Sequence, residues 1–241
     1  MCSSAHCSPF TSLTAESRKL TNMAGRPSQT PLFPKDPRDP WYFERRVWDR
    51  SFRRIAGVDE AGRGPLAGPV VAAAVVLPYG IDLPDVRDSK LLNPSQRQGC
   101  NDRIRAVATA IGIGEVSAAE IDRTNILAAT LEAMRRSLAQ IDPLPDFVIV
   151  DGPWEVPIQL PQQPLKRGDQ LSISVAAASI VAKVHRDTIM VAHHESYPHY
   201  NFARNKGYGT KEHRTALVRY GSCPLHRQTF RGVRSSSAGE H

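Results

Sequence analysis

The sequence predicts an α/β fold with a mixed sheet, and three observations carry that prediction. Short runs rich in valine, isoleucine and alanine recur at Ile55–Asp59, Val70–Leu77, Ile111–Val116 and Phe147–Val150, each bounded by glycine, proline or acidic residues. Between and after them lie stretches with helical spacing, so strands and helices alternate in part. No apolar run reaches the roughly 18–20 residues of a membrane span. A hydrophobic content of 41% with 23% charged residues puts the chain among soluble globular proteins. At 241 residues it is long enough for one good-sized core.

Taken in order, residues 1–40 form a loosely packed extension. Pro27, Pro31, Pro34, Pro37 and Pro40 exclude a helix, and the basic start and apolar core of a signal peptide are missing. Met23 is an alternative start. Trp41, Tyr42, Phe43 and Trp48 open the ordered region, residues 41–233, with a short helix packed on the core. Ile55–Asp59 and Val70–Leu77 are strands joined by a glycine-rich turn. Pro94 to Ala110 is a helix with Asn93 as N-cap and Pro94 at its first position. Ile111–Val116 is a strand broken by Gly112 and Gly114. Ala118 to Asp122 makes one helical turn, and Leu127, Leu131, Met134 and Leu138 mark an amphipathic helix from Ile126 to Ile141. Phe147–Val150 is a buried strand ending at Asp151. Ile173 to Tyr197 is a long helix whose Ala176, Ala177, Ala178 and Ala182 face suits close packing on a sheet. A basic helix from Lys211 to Tyr220 precedes a flexible tail, residues 234–241.

The net charge of +7 is unevenly spread. Residues 1–54 hold ten Lys/Arg against five Asp/Glu, residues 201–241 eight against two, and the middle thirteen against seventeen. An acidic centre between basic flanks suits a site that holds cations while its surroundings hold a polyanion; a solvated surface with basic tails has the same pattern. Cys2, Cys7, Cys100 and Cys223 contain no CxxC spacing and read as free thiols of a reducing, cytoplasmic compartment.

Asp59 and Glu60 stand at the end of an apolar run, directly before Ala61-Gly62-Arg63-Gly64-Pro65. Adjacent like charges at the end of a buried strand repel in a low dielectric, and a hard divalent cation such as Mg²⁺ or Mn²⁺ relieves them. Glycines let backbone amides approach a ligand, and Arg63 adds a cation for phosphate or ribose. Asp151 ends a second predicted strand, where sites form in α/β sheets. Asp169 lies before the long helix, where an N-cap or loop acid is an equally good explanation. Asp187, four residues after Lys183, is explained by a helical ion pair. Together these residues read as a metal-dependent phosphoester site, and no histidine pair has zinc spacing.

The stretch from Ile55 to Leu77, IAGVDEAGRGPLAGPVVAAAVVL, resembles the opening of the type 2 ribonucleases H, the family called ribonuclease HII. The resemblance continues, in order, through Asp88-Ser89-Lys90, Glu120-Ile121-Asp122, Asn125-Ile126-Leu127, Val150-Asp151-Gly152, Lys166-Arg167-Gly168-Asp169, Ala176 to Asp187 and Asn205 to Thr210. It implies a ribonuclease H-like mixed sheet flanked by helices, with a C-terminal helical extension. It also implies an endonuclease that cuts the RNA strand of RNA–DNA hybrids and nicks duplex DNA 5′ to single embedded ribonucleotides, leaving 5′-phosphate products. Asp59, Glu60, Asp151 and Asp169 match the family's active-site acids, with Asp59, Glu60 and Asp151 as ligands of two Mg²⁺ or Mn²⁺ ions roughly 3.5–4 Å apart. Gly62, Arg63 and Gly64 match its ribonucleotide reader and Tyr208 its sugar-stacking tyrosine. Lys90, Lys183, Lys206 and Arg204 are phosphate contacts, and Ser89 and Ser174 are hydroxyl donors to phosphate or local caps. The implied enzyme is a monomer with no membrane and no obligate protein partner. Two rivals are another nuclease or recombinase on the same fold and a non-catalytic nucleic-acid-binding protein.

Overall fold

The computed structural model describes residues 39–87 and 92–233. Along the chain run α1 (Tyr42–Trp48), β1 (Ile55–Ala61), β2 (Val70–Val76), α2 (Pro94–Val107), β3 (Ala110–Val116), α3 (Ala118–Arg123), α4 (Ile126–Leu138), β4 (Phe147–Asp151), β5 (Gln162–Leu165), α5 (Gly168–Leu171), α6 (Ile173–Ser196), α7 (Phe202–Asn205) and α8 (Lys211–Tyr220). The sheet order is β3-β2-β1-β4-β5. β1, β2 and β3 form an antiparallel meander, while β4 and β5 add in parallel, so the sheet is mixed.

Both faces of the sheet are covered, which explains why β2 is apolar throughout and buried at every position. Ala56, Val58, Ala72, Ala74 and Val150 face Ala133, Met134 and Leu138 of α4. Ala73 and Val75 face Ile173, Ala177, Ile180 and Val181 of α6. The alternation is the two-residue period of a strand. Glycines set how closely the helices approach. A Cβ on Gly57 would lie 2.1 Å from the Ser174 carbonyl carbon, so the start of α6 rests directly on β1. Gly112 and Gly114 do the same for α4, where a Cβ would meet the carbonyl oxygens of Ser137 and Ala133 at 2.0 Å. They do not break the third strand: β3 runs unbroken from Ala110 to Val116, because glycines that weaken a strand alone are required where a helix backbone lies on it.

The caps hold the boundaries. Asn93 and Ser117 form capping boxes with Gln96 and Glu120, and Asn125, Ser172 and Thr210 cap α4, α6 and α8. Helix α2 stops at Val107, short of Ala110, because Ala108 is already extended and leads into β3. β1 continues through Ala61, two residues beyond the strand end expected at Asp59, because β2 pairs with it as far as Ala61 opposite Val71. The C-terminal helices pack on α6 through Met190, Tyr200, Phe202 and Leu217.

Candidate active site

Asp59 and Asp151 occupy the C-terminal ends of adjacent parallel strands, whose register pairs Val58 with Val150. The next residue on each strand is therefore a carboxylate. Glu60 follows Asp59, and carboxylate oxygens of Asp59, Glu60 and Asp151 all lie within 4.8 Å of one another. Asp59 is 5% exposed and the other two are half-buried. Burial raises the Asp59 carboxyl well above the ordinary range, and the charges of Glu60 and Asp151 push in the same direction. A hydrogen bond from Ser179 and the Glu60 amide, 2.7 Å from Asp59 Oδ1, work against that rise. Glu60 is also raised, chiefly by burial, although Arg63 holds it down through a contact of 3.4 Å.

Three crowded carboxylates with one guanidinium beside them form a donor set of hard oxygens whose repulsion a divalent cation would relieve. The residues therefore fit such an ion on their own chemistry. The Gly168 amide donates to Asp151 Oδ1 at 2.6 Å, which fixes that carboxylate. It also ties α5 to the end of β4, so Asp169, the next residue, is carried to the same end of the sheet. Asp169 lies outside the 4.8 Å trio and is 9% exposed. It is not an N-cap, since Ser172 caps α6 and Arg167 precedes α5.

A cleft of about 320 Å³ opens beside the acids, lined by Glu60, Ala61, Gly62, Arg63, Gly64, Arg97, Ser179, Lys183 and Tyr208. Two of these were not singled out by sequence reasoning. Ser179 sits within the alanine face of α6, one turn from Val175 where that helix rests on β1, and it meets Asp59. Arg97 lies on α2, with its guanidinium 2.7 Å from the Leu92 carbonyl oxygen and 3.9 Å from Asp187. Lys183 pairs with Asp187 at 2.8 Å, the helical ion pair expected from their spacing, and lies 5.8 Å from the centroid of the Tyr208 ring. Tyr208 is 45% exposed, a large aromatic face on the surface.

Other expected contacts lie elsewhere. Lys206 turns its ammonium onto the Ala203 carbonyl, and its backbone is left-handed at φ 50°. Arg204 is exposed on α7. Ser174 is no phosphate donor: it is buried at the start of α6, where its amide donates to Glu44 Oε1 at 3.0 Å. Ser89 and Lys90 lie outside the described residues. Glu44 itself is fully buried on α1 and accepts from Ser172 Oγ at 2.5 Å, while its second oxygen has no partner. Burial raises its pKa, and the hydrogen bonds from Ser172 and Ser174 work against that rise. It anchors the turn between Asp169 and α6, a role that an acid in an aromatic and basic flank gives no sign of in the sequence.

Behind Tyr208 runs a chain of hydrogen bonds with one consistent direction. The Cys223 amide donates to His226 Nδ1 at 2.9 Å, so His226 carries its proton on Nε2 and donates to His213 Nε2 at 2.9 Å. His213 Nδ1–H then donates to the Tyr208 carbonyl at 2.9 Å. Cys100 and Cys223 are both buried free thiols. Among the described residues, no helix is long and apolar enough to cross a membrane.

Residues 56–233 match the family model described as Ribonuclease HII. A protein of that description from Syntrophotalea carbinolica is 54% identical over 203 residues, which cover 84% of this chain and 97% of the relative. Among solved structures, ribonuclease H2 from Pyrococcus horikoshii is similar with a TM-score of 0.66 at 25% identity, covering 76% of this chain and 96% of that one. A ribonuclease HII from Archaeoglobus fulgidus, solved in complex with PCNA, has a TM-score of 0.65 at 25% identity, covering 74% and 95%.

Proposed function

The chain belongs to the ribonuclease HII family and is an endoribonuclease acting on RNA–DNA hybrids, and from that premise we propose that it is a divalent-metal-dependent enzyme that also nicks duplex DNA 5′ to a single embedded ribonucleotide. The observation that supports this reading best is the junction of two features: the Asp59–Glu60–Asp151 carboxylates, and the glycine-arginine-glycine loop with Tyr208 across one cleft. The first suits cations and a scissile phosphate. The second suits a sugar, because backbone groups at glycines reach a 2′-hydroxyl and an aromatic face stacks on the neighbouring deoxyribose.

In this reading Asp59, Glu60 and Asp151 hold Mg²⁺ or Mn²⁺, and Asp169 assists from α5. The ions, when bound, supply water activation and charge neutralisation at the phosphoryl group. The protein's own part is placement. Strands β1 and β4 fix the acids in register, Ser179 and the Gly168 amide orient two of them, and Gly62, Arg63 and Gly64 hold the ribonucleotide. Lys183 and Arg97 line the cleft as contacts for the phosphate backbone, and Lys90 and Lys206 are further phosphate contacts in this reading. No nucleophilic side chain is needed. Residues 41–233 carry this activity, residues 1–22 are dispensable to it, and the enzyme acts as a cytoplasmic monomer without an obligate protein partner.

A duplex with one ribonucleotide, compared with the same duplex in all-DNA form, tests the proposal. Cleavage of the first alone, 5′ to the ribonucleotide and abolished by EDTA, is the expected result. Equal cleavage of both duplexes would overturn the ribose-reading role, and cleavage in EDTA would overturn the metal dependence.

A further inference from the structure

Arg186 of α6 and Arg227, just after the His226 relay, are both completely buried. Buried arginines ordinarily meet a carboxylate. Among the described residues neither does, and every hydrogen bond that these two side chains donate ends on a backbone carbonyl. Arg227 reaches Gly68 from Nε at 3.1 Å, Arg63 from Nη1 at 2.9 Å, and Gly62 and Gly68 from Nη2 at 2.5 and 2.9 Å. Arg186 reaches Pro69 at 2.9 Å, Ala67 at 3.1 Å and Lys206 at 3.0 Å. The two guanidinium forks thus hold five carbonyls of the 62–69 loop and one in the turn that presents Tyr208.

Backbone bonds knit the same segments together: Leu66 N to Gly207 O at 2.8 Å, Arg227 N to Leu66 O at 2.9 Å and Gly68 N to Leu225 O at 2.8 Å. The glycines of the loop divide by what surrounds them. At Gly62, with φ +99°, a Cβ would lie 2.1 Å from Arg186 Nε and 2.8 Å from the Pro69 carbonyl oxygen, so glycine there is required by the backbone and by the packed arginine together. At Gly64 a Cβ would meet only Tyr208, at 3.8 Å, so the fold itself leaves room for a methyl group facing the cleft.

Two like charges buried side by side are costly, and burial with the Arg186 charge pushes Arg227 down to about 9, still protonated at neutral pH. Apolar packing would avoid that cost. What the guanidinium pair provides is direction, because a planar fork holds several carbonyls at fixed angles and a lysine ammonium does not. We propose that Arg186 and Arg227 are positioning residues that lock the 62–69 loop and the Tyr208 turn into one geometry, so that both meet the same ribonucleotide. This rests on reading Gly62-Arg63-Gly64 and Tyr208 as the elements that contact the sugar.

The test is a double-mutant cycle on duplex DNA containing one ribonucleotide, using Arg227→Lys, Gly64→Ala and the combination. Arg227→Lys keeps the charge and loses the fork. It is expected to lower kcat/KM by about tenfold to a hundredfold, the scale of a misplacement near 1 Å, while far-UV circular dichroism and substrate Kd stay near wild type. Gly64→Ala is expected to lower kcat/KM as well, and the double variant to fall little below the worse single variant, since a loop that the methyl group already keeps from the sugar gains nothing from being held in place. Wild-type kcat/KM in Arg227→Lys, or losses that multiply in full, would overturn the positioning role. Wild-type activity in Gly64→Ala would instead overturn the sugar-contact reading, and the proposal with it. If Arg227→Lys does not fold, Arg186→Lys takes its place in the cycle; failure of both to fold would overturn positioning in favour of a purely structural role.

Discussion

Asp59 is a carboxylate where the surroundings oppose a carboxylate: buried, beside Glu60 and opposite Asp151. Its repulsion is the reason a cation belongs there, and it makes a prediction with two arms. Asp59→Asn and Asp151→Asn are each expected to reduce cleavage by about a thousandfold or more, the several kcal/mol that metal charge supplies to phosphoryl transfer. Binding of the hybrid is expected to persist, because no cationic contact is removed. In metal-free buffer Asp59→Asn is expected to raise the thermal midpoint, by about 2–4 °C per kcal/mol of relieved repulsion, and to lose the upward shift that Mg²⁺ gives the wild type. Near-normal turnover in either variant at saturating Mg²⁺ would refute the ligand assignment.

At the scale of elements, the segment from Cys223 to Arg227 ties the C-terminal helices to the cleft through the histidine relay. Burial and the neighbouring His213 hold the His226 imidazole down to about 4, and burial lowers His213 too. An unfolded histidine titrates near 6.5. Between about 4 and 6.5 the unfolded chain therefore binds protons that the folded chain does not, so this contribution is complete above 6.5 and is lost as the pH falls toward 4. For His226 it amounts to about 3 kcal/mol at most. Glu44 and Asp59, raised by burial, work in the opposite sense, so the measurement is a comparison. Urea midpoints of wild type and His226→Asn between pH 4 and 7 are expected to show a shallower acid fall in the variant; identical slopes would count against the neutral relay. The relay was not legible in the sequence, where His213 and His226 are two isolated histidines without ligand spacing. Strand β5 was missed for a different reason: Gln162-Gln163-Pro164-Leu165 has no apolar run, and an edge strand with proline leaves little periodicity to read.

For the whole molecule, the family match spans residues 56–233, and 203 residues of this chain account for 97% of a relative's length. Deletion of residues 1–22 is accordingly expected to leave the thermal midpoint and metal-dependent activity near wild type. It removes Arg18 and Lys19 together with Glu16, so the salt dependence of hybrid binding is expected to change only slightly. A midpoint lower by more than about 4 °C, or roughly 1 kcal/mol or more, would show that the segment packs on the domain. The Archaeoglobus fulgidus relative was solved with PCNA, so a pull-down with a sliding clamp is a direct check of the proposed independence from partners.

The sequence by itself determined the alternation of strands and helices, the Asn93 cap, and the acids at the ends of the first and fourth strands. These are local signals: an apolar run, a cap and a carboxylate each speak through their immediate neighbours. It determined the family as well, because ordered motifs from Ile55 to Thr210 fix chemistry and topology together. Tertiary structure alone decided which residues share a space across large separations. Ser179 meets Asp59 because Gly57 lets α6 lie against β1. Ser174 is buried rather than exposed because that same approach covers it. Arg186 and Arg227 look like ordinary surface charges in the chain, yet all their partners but the Lys206 carbonyl are carbonyls 117–165 residues away. A carbonyl is present at every position and so leaves no trace in a sequence, and only the fold shows which ones converge.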